Sequence, residues 1–282
     1  MSLELGLEQD ISTAVALLRS AKKLLVITGA GISADSGMPT YRGIGGLYEQ
    51  QDTDDEMPIE VALSGPMFES RPELTWKYLS QIETACRGAQ PNDAHRALSY
   101  MSHSFERMTV LTQNVDGFHR DAGQEELIEM HGNVHELYCT ECGKEEWLQD
   151  YAALSMPPYC EDCRGIIRPR VVLFQEMLPE RALRQFEQTL ESGVDAVMTI
   201  GTSSGFPYIS GPVIRAARMG LPTIEINPGD TEVSGIVGLQ MLDSRQHLCR
   251  ESSICLPAES RIQNQIAPAS FRSAVMAFAI SA

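Results

Sequence analysis

Leu24–Arg42 reads LLVITGAGISADSGMPTYR, an apolar run that stops at glycine and then turns polar. Leu24 to Thr28 have the length and composition of a buried strand. Gly29-Ala30-Gly31-Ile32-Ser33-Ala34 follows as a G-x-G-x-x-A match in the strand-turn-helix context the motif needs. Glycines there let the backbone approach a pyrophosphate, and the local amides would donate to it. Alone, the same residues are equally a plain glycine turn after a strand. An ordinary dehydrogenase would continue into a helix, a second strand and an acidic residue about twenty positions on. Here Pro39, Gly43, Gly45 and Gly46 break the chain, and Glu49, at the right distance, has no strand context. The loop fits a nucleotide-binding turn without the usual ribose-gripping arrangement. This points to chemistry other than hydride transfer, an ordinary dehydrogenase being the weakest alternative.

Outward from this turn, Met108–Thr112, Leu127–Met130, Val171–Phe174, Ala196–Ile200 and Thr223–Ile226 read as further buried strands. Ile11, Ala14, Val15, Leu17 and Leu18 share one helical face just before the first strand. Short apolar strands alternating with helices predict a parallel sheet covered on both faces. The fold class expected is therefore α/β, a doubly wound, Rossmann-like parallel-sheet domain carrying a small inserted zinc-binding and helical domain. Residues 1–45, 106–131 and 169–240 are assigned to the nucleotide domain. The helical insertion is 46–105, the metal module 132–168, and 241–282 a divergent tail with poor periodicity, expected to be loosely ordered and to leave the nucleotide pocket partly incomplete on that side.

The metal module rests on Cys139, Cys142, Cys160 and Cys163. Two CxxC pairs separated by seventeen residues have the spacing of a four-thiolate zinc site. Four soft ligands close the tetrahedron and leave no position for water, so the ion would be structural. Two redox disulfides, or four unrelated thiols, are the alternatives.

With 22 Lys and Arg against 38 Asp and Glu, the formal charge of −16 argues against direct nucleic-acid binding. No apolar run approaches the eighteen residues of a membrane span, and MSLELGLEQD lacks the basic start of a secretory signal. Seven cysteines, four assigned to a metal, point to a reducing compartment, and a cytoplasmic location is expected.

Gly29–Arg42, GAGISADSGMPTYR, resembles the first sirtuin motif, GAGxSxxSGIPxFR. Thr112–Asp116 (TQNVD), Met130–Asn133 (MHGN), Gly201–Ser204 (GTSS), Arg168-Pro169 with Val171–Glu176, and Ile226-Asn227 resemble later sirtuin blocks in the same order. The resemblance covers about residues 20–235 and implies an NAD-dependent protein-lysine deacetylase. NAD would be the co-substrate, zinc the structural ion and acetylated proteins the partners. The products would be free lysine, nicotinamide and O-acetyl-ADP-ribose.

His131 stands at a predicted strand end, where ligands meet open α/β sheets, and a histidine can take a hydroxyl proton near neutrality. By position alone it could equally be structural; the resemblance makes it the general base. Asn114 and Asp116 would orient the nicotinamide end and Gln113 the ribose, though with Gly117 they also read as a turn. Gly29, Ala30, Gly31, Ser33, Tyr41, Arg42, Gly201, Thr202, Ser203 and Asn227 complete the set that the resemblance implies for NAD. Thr202 and Ser203 alone would read as a helix cap. Val172 and Phe174 would line the acyl-lysine tunnel, with neighbouring backbone pairing to the peptide; otherwise they are core strand residues. Tyr41 stands where the motif has Phe, and Gln175 where it has Gly. In the helix near Trp76-Lys77-Tyr78-Leu79-Ser80, Lys77 and Ser80 occupy the places where succinyl-preferring sirtuins carry Tyr and Arg, which leaves acetyl as the expected group. A mono-ADP-ribosyltransferase on the same scaffold and a non-catalytic NAD sensor remain as alternatives.

Overall fold

The structure is a computed structural model that describes residues 2–38 and 53–242. Pro39, Tyr41, Arg42, Gly43, Gly45, Gly46 and Glu49, and the tail from residue 243 on, lie outside the described residues. The central sheet has six strands: β1 (Lys23–Thr28), β2 (Arg107–Thr112), β3 (Leu127–Glu129), β7 (Ala196–Ile200), β8 (Thr223–Asn227) and β9 (Leu239–Leu242). Their order is β3-β2-β1-β7-β8-β9, and every pairing is parallel.

Alternation along the strands explains why both faces are covered. Leu24 and Val26 of β1, Met108 and Val110 of β2, and Met198 of β7 point to one core. That core is closed by α1 (Ser2–Leu18) through Ala14 and Leu18, and by α5 (Asp93–Met101) through Ala94, Ala97, Leu98 and Met101. Leu25, Ile27, Leu111 and Val197 point the other way, against Ala182 and Phe186 of α7 (Glu180–Glu191) and Ile209, Val213 and Ala216 of α8 (Pro207–Arg218). Successive strand side chains face opposite sides, so a strand buried on both reads as a continuous apolar run.

The smaller lobe is a three-stranded antiparallel sheet, β5-β4-β6, made of β4 (Gly132–Cys139), β5 (Glu145–Trp147) and β6 (Ile167–Val171). It shares one core with α4 (Pro72–Cys86), in which Trp76, Tyr78, Leu79 and Ile82 meet Val134, Leu137, Tyr151 and Leu173. The Trp76 indole N–H donates to the Ile167 carbonyl at 3.0 Å, tying the helix to β6.

Three expectations change on this evidence. Val171–Phe174 is not a strand of the parallel sheet: the strand is Ile167–Val171, and it pairs with β4 as the returning arm of the cysteine hairpin. Beyond it, Val172 N–H donates to the His131 carbonyl and Phe174 makes a bridge to Ser64, without a further strand. A short apolar run has no signature that tells these two partners apart. The tail expected from residue 241 does not lose order at once, because Leu239–Leu242 extends the sheet as β9 with Met241 buried in the core. Within 46–105, α5 packs on the large sheet whereas α4 belongs to the small lobe.

Candidate active site

From β1 the chain passes through β2 and β3 on one side of the sheet, then returns to β7 on β1's other side. This reversal is a topological switch point, where ligands bind beyond the strands' carboxyl ends. The turns after β1 and β7 touch there. Gly31 N–H donates to the Gly201 carbonyl at 2.9 Å. A Cβ on Gly31 would lie 2.6 Å from Gly201 Cα, so only glycine permits the approach. The segment Ala30–Ser36 winds as a 3₁₀ helix. Amide donation to an anion is not what this loop offers at Gly29, Gly31 and Ile32: those three N–H groups are taken by the Ile200, Gly201 and Gly29 carbonyls.

Three of the residues expected at the site form one buried network. Ser33 Oγ donates to Asp116 Oδ2 at 2.7 Å, and Asn114 Nδ2 donates to Ser33 Oγ and to the Gly29 carbonyl, each at 3.1 Å. Asp116 Oδ1 accepts the Phe118 N–H. Burial pushes the Asp116 carboxyl above the usual carboxylate range, and the Ser33 and Phe118 donors oppose that rise. Gln113 joins both halves of the crevice: its side-chain amide donates to Thr202 Oγ1 at 2.8 Å, and its carbonyl lies 2.9 Å from His131 Nδ1.

His131 follows β3 by two residues, and its own carbonyl accepts the Val172 N–H. The carbonyl of Gln113 can only accept, so Nδ1 carries the ring hydrogen and Nε2 presents a lone pair. Burial lowers the His131 pKa, with the Gln113 carbonyl working against it. The result is a neutral imidazole with its basic nitrogen fixed in orientation. Next to His131, Gly132 adopts φ +81°, and a Cβ there would fall on the Arg170 carbonyl.

The remaining expected residues are more dispersed. Asn227 turns back to donate to the Gly229 carbonyl, and Ser203 is exposed. Phe174 is partly exposed on a segment whose backbone is already partly paired: Phe174 N–H donates to Leu63, Gly65 N–H to Phe174, and Leu173 N–H to Glu176 Oε2. Gln175 sits at φ +68°, the left-handed region in which glycine is at ease.

Three participants escape a reading of the sequence. His95 lies with Nε2 3.4 Å from Ser33 Oγ, and burial drives its pKa down to about 2. Its position in Asn92-Asp93-Ala94-His95, a capping box that starts α5, was the available signal. His119, lowered by burial to about 3, sits 2.9 Å from Thr28 Oγ1 and stacks edge-on with His95. Tyr208, whose hydroxyl is 2.7 Å from His131 Nε2, left no local pattern to follow.

The four cysteines of the hairpin converge, their Sγ atoms all within 4.8 Å of one another. Cys139 and Cys163 are 3.4 Å apart and Cys142 and Cys160 3.8 Å, far beyond a disulfide bond. All four are free thiols, which removes the disulfide alternative. Backbone N–H groups, that of Cys142 foremost, lower the Cys139 pKa. Four converging soft donors fit zinc. Cys139 lies seven residue steps along β4 from Gly132, so the cluster is about 20 Å from His131 at strand rise. At that distance its thiols do not reach His131, and they join the two arms of the hairpin.

The Sir2 family model matches residues 29–206. The chain belongs to the Sir2 family. It is 50% identical over 241 residues to "NAD-dependent protein deacylase 2" of Pseudomonas syringae pv. tomato, covering 84% of this chain and 97% of that protein. The protein of the same name from Pseudomonas aeruginosa is also 50% identical, over 82% of this chain and 91% of that one. Among solved structures, a Sir2–p53 peptide–NAD+ complex superposes with a TM-score of 0.71 at 31% identity, covering 86% of this chain and 96% of that one. A Sir2 homolog–NAD complex gives 0.72 at 31% identity, over 85% and 91%. For this Sir2 chain, the amide, hydroxyl and carboxylate set of Ser33, Gln113, Asn114, Asp116 and Thr202 is chemically suited to ribose hydroxyls and a carboxamide.

Proposed function

We propose that this Sir2-family chain is an NAD-dependent protein-lysine deacylase with acetyl as its acyl group. The observation that carries the reading is the neutral His131, held by Gln113 with Nε2 free of a ring hydrogen, at the switch-point crevice. Bound NAD supplies a ribose carbon bearing nicotinamide as leaving group. The acyl oxygen would attack that carbon as nicotinamide leaves. His131 Nε2 would then take the proton of the neighbouring ribose hydroxyl as its oxygen adds to the acyl carbon, and water would release free lysine and O-acetyl-ADP-ribose. Asn114 and Asp116, braced by Ser33, orient the nicotinamide end, and Gln113 with Thr202 holds the ribose. Gly29, Ala30, Gly31, Gly201, Ser203 and Asn227 contribute to the remainder of the cofactor site, and Val172 and Phe174 border the acyl-lysine. Cys139, Cys142, Cys160 and Cys163 hold one structural zinc.

The substrates are acetylated proteins. The excess of acidic residues supports the absence of direct nucleic-acid binding, and the free thiols support a cytoplasmic location. Among the described residues, no helix is long and apolar enough to cross a membrane.

The test is mass spectrometry of an acetyl-lysine peptide incubated with the protein and NAD, beside His131→Ala. Loss of acetyl with one O-acetyl-ADP-ribose per lysine is expected, reduced roughly 10²–10⁴-fold in the variant. ADP-ribose left on protein with acetyl intact would mark a transferase instead.

A further inference from the structure

The basic nitrogen of His131 already has a partner. Tyr208, in the first turn of α8, places its hydroxyl 2.7 Å from Nε2. Because Nδ1 carries the ring hydrogen against the Gln113 carbonyl, the tyrosine O–H is the donor in this contact. The arrangement is built, not incidental. Phe206 stacks on the Tyr208 ring at 5.8 Å with 19° between planes, and both rings meet the imidazole edge-on at 6.3 Å. Burial raises the Tyr208 pKa, which keeps the phenol protonated and able to donate.

A neutral imidazole has one lone pair on Nε2. The deacylase reading, on which this inference rests, requires that lone pair to receive a ribose hydroxyl proton. Two O–H donors cannot use it together. We infer that Tyr208 is a displaceable occupant of the base, standing in for the ribose hydroxyl until the cofactor drives it off His131. In the resting protein the contact fixes the ring and gives the lone pair of a partly buried histidine a donor. On loading, the same contact must be broken, so it opposes cofactor binding by the net worth of one hydrogen bond. That corresponds to roughly twofold to tenfold in affinity.

The variant that isolates the hydroxyl is Tyr208→Phe, which keeps the ring against Phe206. Calorimetric titration with ADP-ribose, which carries the ribose hydroxyls, should show the variant binding roughly twofold to tenfold more tightly than the wild type. Its kcat/KM for NAD should rise by a similar factor, with thermal melting run in parallel to verify folding. Equal dissociation constants would overturn the inference. So would a fall in kcat/KM, which would make Tyr208 part of the proton path. A second measurement needs no altered protein: with tyrosine labelled at ¹³Cζ, the Tyr208 resonance should move when ADP-ribose is added to the wild type. A resonance that stays still while ADP-ribose binds would overturn it as well. If the wild type binds ADP-ribose but removes no acetyl group, the deacylase reading fails, while these binding arms still decide the place of Tyr208.

Discussion

His131 has to meet its substrate uncharged, and burial is what keeps it so. Its pKa is lowered, so more than half of the base is neutral where an ordinary histidine, near 6.5, would be half protonated. The pH profile of kcat/KM for NAD should therefore rise with pH through a value below 6.5 and be flat above it. A limb centred above 7 would mean that another group controls the base. Gln175 offers a second test. A side chain at φ +68° costs roughly 1–2 kcal/mol, whereas glycine there would lose roughly 0.4–1 kcal/mol through its freer unfolded chain. Strain is the larger of the two, so Gln175→Gly should raise the melting temperature by about 1–3 °C. It should also lower the peptide KM, because a relaxed loop can adjust its remaining backbone groups to an incoming strand. An unchanged KM would remove Gln175 from peptide recognition, whatever the melting curve does.

At the scale of elements, the small lobe hangs on two supports, the thiolate cluster and the core shared with α4. Trp76 is wholly buried in that core and hydrogen-bonded to β6. Stripping zinc should therefore lower the melting temperature and change tryptophan emission together, since folding and metal binding are coupled in such a site. Activity lost by chelation with an unchanged melting temperature would rule out the structural role. The same elements show what a sequence makes legible. The spacing of Cys139, Cys142, Cys160 and Cys163 is a local pattern, and its geometry was readable before any fold. β1, β2, β7 and β8 were readable too, because burial on both faces leaves unbroken apolar runs. The partner of Val171–Phe174 was not, because pairing is a long-range choice made by the hairpin, and β9 was hidden in a segment of four residues. Hydrogen exchange should find the amides of Leu239–Leu242 protected like those of β8. Rapid exchange there would return that stretch to the loose tail. At the site, Ser33, Asn114, Asp116 and His131 stood in motifs, whereas His95 and Tyr208 meet Ser33 and His131 only by tertiary contacts across 62 and 77 residues, and His119 meets Thr28 across 91.

Across the whole molecule, His95 and His119, both buried, and the partly buried His131 set the response to acid. His95 is pushed down to about 2, His119 to about 3, and His131 is lowered as well, burial being the main cause in each. The unfolded chain would protonate all three near 6.5. For a group whose folded pKa is depressed, stability is full above the unfolded value and drains as pH falls toward the folded one. The window here opens at about 6.5 and extends to about 2–3 for His95 and His119. His95 and His119 each contribute a slope of about 1.4 kcal/mol per pH unit, about 2.8 together, and His131 adds to it over the range from 6.5 down to its own lowered pKa. Asp116 acts in the opposite sense, since its raised carboxyl binds a proton more readily folded than unfolded, and this offsets about one histidine below its own folded pKa. A domain stable by about 5–15 kcal/mol would exhaust that margin within a few pH units, and we expect acid unfolding between about pH 3 and 5. Urea titrations at pH 7, 6 and 5 measure the slope directly. His119→Gln, which keeps a polar group facing Thr28 but cannot titrate, should flatten it by about 1.4 kcal/mol per unit. If stability is the same at pH 7 and pH 5, the histidines are not buried as neutral groups, and the base itself would lose its argument for neutrality.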